Sequence, residues 1–266
     1  MYSMVIDFHT HIFPRHKGSA ILSDLSNRSD ISHYTNGSLE SLLQSMKQAG
    51  IEISLVSRIT THPKQVISVN QWLHKCIREG IRPMAAIHPD IPDLDAYMGT
   101  LKDLGFKGIK FHPDYQGFYV DDRKMYPVYE AAQALQLPVL FHAGLDRGLP
   151  PPVHATPRRL LIVHQQFPDL TMIAAHMGGE DNYDDTKTYL LGTDVYLDTA
   201  FVLRIMEKDA LAHFFSKHPI ERFLFGTDSP FTDQSTELNY FLDLPFLTQD
   251  AKDKILGQNA ADLLNL

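Results

Sequence analysis

Eight short apolar runs recur along the chain: Met4–Phe8, Ile51–Val56, Arg82–Ile87, Gly108–Phe111, Pro138–Phe141, Thr171–Ala175, Val195–Leu197 and Arg222–Phe225. They are rich in β-branched residues and nearly continuous rather than alternating. Parallel strands covered on both faces have this pattern. Between them the apolar residues fall at helical spacing. Ser38–Ala49 places Leu39, Leu42, Leu43 and Met46 on one face, with a serine N-cap and Gly50 as the stop. Helices are also predicted over Lys64–Glu79, Asp93–Leu104, Asp122–Leu137 and Pro157–Phe167, and over 182–191, 203–217, 235–243 and 248–265.

Strand then helix, eight times, predicts an α/β fold, a (β/α)8 TIM barrel. It forms one domain over 1–266, with an extra C-terminal helix. The alternative is a doubly wound open sheet. A nucleotide-binding version would need a glycine-rich turn after the first strand, and that turn here is His9-Thr10-His11-Ile12-Phe13-Pro14. The polar stretch 12–37 is predicted to be a helix-poor loop folded over the barrel mouth.

Composition narrows the function. The chain is 44% hydrophobic, enough for a large core without disulfides. Its net charge of -8 and lack of a basic run argue against nucleic acid or a membrane surface and leave a small-molecule substrate. No apolar stretch approaches the roughly 20 residues that span a bilayer. A single cysteine, Cys76, and no basic leader at the N-terminus point to a cytoplasmic protein.

Chemistry concentrates where the strands end, which in barrels of this type is where active sites lie. The first run ends in His9 and His11, which share a side of the strand by alternation. The later runs end at Ser57-Arg58, His88, Lys110-x-His112, His142, His176, Asp198 and Asp228. A random scatter of 14 histidines would not place one at five strand ends out of eight. His9, His11, His142 and Asp228 supply three imidazoles and a carboxylate. That set suits Zn²⁺ first, with Mn²⁺, Fe²⁺ or Co²⁺ as alternatives. A metal there activates water, and His176 and Asp228 are the catalytic candidates. Each has a plainer reading. His9 and His11 would be core histidines, Asp228 a turn residue before Pro230, and His176 a cap on the Gly178-Gly179 turn. Lys110, His112, Arg58 and His88 are weaker substrate-contact candidates, since His112 and His88 also precede prolines. Tyr115, Gln116 and Phe118 are candidate pocket walls, and Asp198 is read first as a helix N-cap.

Six segments together carry a family resemblance: Asp7-Phe8-His9-Thr10-His11, Gly108–Pro113, Pro138–Gly144, Ala175–Gly179, Leu224–Pro230 and Ile255–Ala260. The chain resembles the amidohydrolase superfamily over nearly its whole length, and within it the "amidohydrolase 2" group. The resemblance implies a hydrolase holding one or two metal ions, which cleaves an amide, lactam, lactone or similar bond of a small molecule. It matches His9 and His11 to the strand-one metal pair and His142 to the strand-five ligand. His176 matches a catalytic or second-metal histidine, Asp228 the strand-eight aspartate, and Lys110 a position that is sometimes a carboxylated bridge. The same group implies an alternative, metal-dependent decarboxylation of a small aromatic or dienoic acid. It also suggests a homo-oligomer. A non-catalytic binding barrel is the reading from another class; it would require the metal set to be broken.

Overall fold

The computed structural model describes residues 4–266; residues 1–3 of the expected domain lie outside the described residues. Its strands are β1 (Ile6–His11), β2 (Ile53–Ser57), β3 (Ile81–Pro83), β4 (Ala85–Ala86), β5 (Ile109–Phe111), β6 (Val139–Phe141), β7 (Met172–Ala174), β8 (Tyr196–Asp198) and β9 (Phe223–Leu224). Every strand pairing is parallel. The third predicted strand is split into β3 and β4 at Met84, where it changes partner from β2 to β5. Met84 N donates to Val56 O at 2.9 Å and Ala85 N to Gly108 O at 2.7 Å, so the ladder continues across the break. The ring closes through Phe8 N donating to Phe225 O and Asp228 N donating to His9 O, both at 2.8 Å. The eight-fold strand–helix prediction thus holds as a barrel.

Its helices are α1 (Arg15–Ser29), α2 (Leu39–Ala49), α3 (Val66–Lys75), α4 (Leu94–Thr100), α5 (Pro113–Gln116), α6 (Tyr126–Ala134), α7 (Pro157–Gln166), α8 (Tyr183–Tyr189), α9 (Lys208–Lys217), α10 (Gln234–Leu242), α11 (Gln249–Asp253) and α12 (Asn259–Leu264). The starts follow local chemistry. Ser38 Oγ accepts from Ser41 N, Thr156 Oγ1 from Arg159 N just before Pro157, and Asp233 Oδ1 from Thr236 N. The expected C-terminal helix is present as α11 and α12, joined by a π-helical turn over Lys254–Gln258.

One expectation fails here: the 12–37 stretch is not helix-poor, since α1 occupies fifteen of its residues. The segment does cover the barrel mouth. Phe13 N donates to Gly37 O, which closes it into a loop, and Tyr34 N donates to Pro230 O, which ties it to the last strand's end.

The core has two layers. Ile6, Phe8, Leu55, Met84, Leu140, Ile173 and Leu224 fill the barrel, with Leu264 of α12 packed against them. A larger apolar layer lies between the strands and their helices. Register in β1 decides which of its side chains enter the barrel. From Asp7 to Thr10, β1 advances three positions while the paired β2 advances only two, from Ser54 to Val56. This bulge changes the alternation. Asp7 bonds outward to Gln234 of α10, whereas His9, two residues on, reaches Lys110 inside the barrel.

Candidate metal centre and its cavity

The strand ends line a cavity of about 260 Å³. His9 sits at its floor, buried. The carboxylate of Asp198 accepts from His9 Nδ1 at 2.8 Å, which fixes the tautomer and makes Nε2 an acceptor facing the cavity. Asp198 is itself held by the backbone N–H groups of His176 (2.8 Å) and Ala200 (3.1 Å). Ser57 Oγ donates to Thr10 O, so it accepts from His11 Nδ1 at 3.2 Å, and His11 Nε2 is turned to Asp228. Both Nε2 atoms converge on Asp228 Oδ1, at 3.4 Å from His9 and 3.0 Å from His11. Two ring nitrogens and one carboxylate oxygen therefore converge on one point, with His11 Nε2 and Asp228 Oδ1 at hydrogen-bond distance.

Burial, with Lys110 close by, drives the His9 imidazole well below its usual range, so it stays neutral. Burial would raise Asp228, but the His11 hydrogen bond and the neighbouring imidazoles outweigh it and hold the carboxyl at about 2. Lys110 Nζ donates to His9 Nε2 at 3.0 Å, and burial lowers this ammonium to about 8 against the pull of Asp198 and Asp228.

A second chain of imidazoles runs beside the first. His176 Nδ1 donates to Ala200 O at 2.9 Å, so its Nε2 accepts from His142 Nδ1 at 3.1 Å. His142 Nε2 is then left buried and without a partner. Burial pushes His142 well below its usual range, helped by the adjacent His112 and His176. His112 stacks on His142 at 4.0 Å between ring centroids, and its Nε2 lies 3.0 Å from Asp146 Oδ2. His176, Phe201 and Asp228 all carry positive φ, as does Met177, so the backbone at these strand ends is strained where the site lies.

A sequence model of the amidohydrolase family matches residues 6–266. The chain belongs to the amidohydrolase family. Among solved structures, an uncharacterised TIM-barrel protein from Bordetella bronchiseptica superposes with a TM-score of 0.77 at 24% identity, covering 98% of each chain. A 5-carboxyvanillate decarboxylase from Sphingomonas paucimobilis gives 0.73 at 14% identity, covering 99% of each. A dihydroxybenzoic acid decarboxylase from a Polaromonas species, with bound manganese and 2-nitroresorcinol, gives 0.71 at 18% identity. It covers 99% of this chain and 97% of its own. These likenesses confirm the barrel.

In this family member the donor set itself fits a divalent cation. Metal–ligand bonds of about 2.0–2.2 Å place adjacent ligand atoms about 3.0–3.5 Å apart. The spacings about Asp228 Oδ1, 3.0 and 3.4 Å, fall in that range. His9, His11 and Asp228 form one converging group. His142 does not join it directly. It converges instead with His176 and Glu180, and with His112 and Asp146. Of the four residues expected from the sequence, three converge as a triad, and the fourth, His142, lines the same cavity with an unpartnered Nε2.

The other candidates are placed as follows. Lys110, His112, His176 and Arg58 line the cavity, as does Tyr115. Gln116 instead bonds Thr60 O and Ile87 O, and Phe118 packs on Phe111 in the core. His88 is not in the cavity wall: its Nδ1 accepts from Asp90 N in a local turn, because the strand ends short of it at Ala86. Asp198 caps no helix; α9 starts ten residues later, and the carboxylate is turned onto His9. Sequence reasoning missed Asp146, Arg147 and Glu180, which also line the cavity. Glu180 accepts from Arg147 Nε at 2.9 Å, and burial raises its carboxyl to about 7. The only signal was proximity: two charged residues just after His142-Ala-Gly and one just after His176-Met-Gly-Gly.

Proposed function

We propose that this amidohydrolase is a divalent-metal-dependent decarboxylase of a small aromatic or dienoic acid. The observation that carries this reading is the make-up of the cavity. Its largely apolar lining holds the donor cage and two guanidinium groups: Arg147 is paired with Glu180, whereas Arg58 is half-buried and its buried Nη1 has no partner. Arg58 lies over the Phe13 ring at 4.8 Å, which fixes its position, and burial lowers it only to about 10, so it stays cationic. A planar unsaturated acid matches both features, and the Sphingomonas and Polaromonas relatives are decarboxylases of such acids.

His9, His11 and Asp228 would hold the ion, with His142 Nε2 available to complete the set. When bound, a divalent ion withdraws charge from an oxygen of the substrate. Zn²⁺, Mn²⁺ and Fe²⁺ all suit these donors. Arg58 orients the acid through its anionic group. Loss of CO₂ leaves an electron pair on carbon that must take up a proton. Lys110 Nζ, buried in the cavity wall beside His9, holds one there. His176 has both ring nitrogens committed to hydrogen bonds, so its role is to orient His142.

Hydrolysis of an amide, lactam or lactone is the second reading. It is favoured by Asp228, which stays charged and, as a member of the cage, is placed to accept a proton from water. The test is to incubate Mn²⁺- and Zn²⁺-loaded protein with dihydroxybenzoates, carboxyvanillate and simple lactones, following CO₂ and acid release separately. Stoichiometric CO₂, lowered about 10²- to 10⁴-fold in Lys110→Met, supports decarboxylation. Acid release from lactones without CO₂ transfers the assignment to hydrolysis.

A further inference from the structure

The segment 12–37 does more than cover the cavity. Only Gly18 and Leu22 of α1 are buried, so the helix has little protein core of its own. Its remaining large apolar residues, Ile21 and Leu25, lie four apart, and with Ser29 four residues further on they form one stripe. All three line the cavity, together with Ile31 just past the helix end. The loop closure at Phe13–Gly37 and the tie from Tyr34 to Pro230 hold the helix in this place. A stripe of this kind, half-buried and facing a cavity rather than another element, needs apolar matter against it. Across the same cavity the polar groups come from the strand ends, from Arg58 and Tyr115, and from the loops after β6 and β7, which bring in Asp146, Arg147 and Glu180.

We infer that α1 is the specificity element of the site, and that the substrate carries an apolar group, alkyl or aryl, on the end remote from its acid function. This rests on the proposed acid-binding role of Arg58 and goes beyond it by naming the part of the substrate that the reaction leaves untouched. The strand ends and Arg58 then select for an acid, while Ile21, Leu25 and Ile31 select among acids.

The experiment is calorimetric titration of the Mn²⁺-loaded protein with benzoate, 4-ethylbenzoate and 4-butylbenzoate. Each methylene buried against the stripe should tighten binding by about fourfold. In the double variant Ile21→Ser/Leu25→Ser this dependence on chain length should collapse. In Arg58→Met all three acids should weaken by a similar factor while the dependence on chain length persists. Equal affinity across the series in the unmodified protein, no binding of any member, or an unchanged dependence in the double variant overturns the inference. The two readings fail separately. CO₂ release without chain-length dependence removes the role of α1 alone. Chain-length dependence with no CO₂ release from any acid removes the reaction but leaves the pocket assignment.

Discussion

At the residue scale the site is organised by what fixes each imidazole. Asp198 holds His9 Nδ1, Ser57 holds His11 Nδ1, and His176 holds His142 Nδ1, so every ligand nitrogen offered to the cavity is an Nε2. Partners of this kind set the tautomer and orientation of metal-binding histidines. Asp198→Ala should therefore weaken Mn²⁺ binding by about 10- to 100-fold, read by titration with paramagnetic detection. Unchanged affinity would show that the ring needs no such support. These residues differ in how legible they are in the sequence. His9, His11, His142, His176 and Asp228 are readable because each ends an apolar run, and barrel topology brings strand ends together. Asp198 also ends a run, but its partner is 189 positions away, so the sequence favours its short-range role as a cap. His88 misled for the opposite reason. It follows the run Arg82–Ile87, but the strand itself stops at Ala86, which leaves the histidine in a turn.

At the element scale the strands were the readable part, because burial on both faces makes them continuous apolar runs. Helix α1 was not readable. Its apolar residues serve the cavity instead of a core, so the usual amphipathic stripe is thin, and Pro14 at its start makes no side-chain cap. The β1 bulge was equally hidden, since its signature is a pairing register and not a residue type. The loops after β6 and β7 depend on close backbone contact. Glu180 N donates to Ala143 O and Leu145 N to Glu180 O, both at 2.9 Å, with Gly144 between them at φ +86. A Cβ on Gly144 would lie 2.1 Å from Glu180 N. Gly144→Ala should cost about 3 kcal/mol or more in urea unfolding, and a loss below about 1 kcal/mol would contradict this packing. This contact holds the loop bearing Asp146 and Arg147 against the loop bearing Glu180, so the same variant should also disturb the cavity wall.

At the scale of the whole molecule, stability and function respond to pH through separate groups. His218 lies at the end of α9, where its Nδ1 accepts from Gly192 N and its Nε2 donates to Val195 O. Burial lowers it to about 4 from the ordinary 6.5. The unfolded chain therefore binds this proton more tightly, so the stability linked to His218 is fully present above pH 6.5 and is lost as pH falls towards 4. The advantage of the unmodified protein over His218→Gln should shrink by up to about 3 kcal/mol across that window. A constant difference would show that the ring is not held neutral. The barrel makes such a division possible: α9 and its partners carry stability outside the ring, while the strand ends inside it carry chemistry. No helix among the described residues is long and apolar enough to cross a membrane. The claim on which the rest depends is that His9, His11 and Asp228 converge to hold a divalent ion. Metal content per chain, measured by elemental analysis after reconstitution with Mn²⁺ or Zn²⁺, tests it most directly. About one equivalent in the unmodified protein and in His88→Ala, but none in His9→Ala/His11→Ala, is the predicted result. Equal metal in all three proteins, or none in any, would contradict the account.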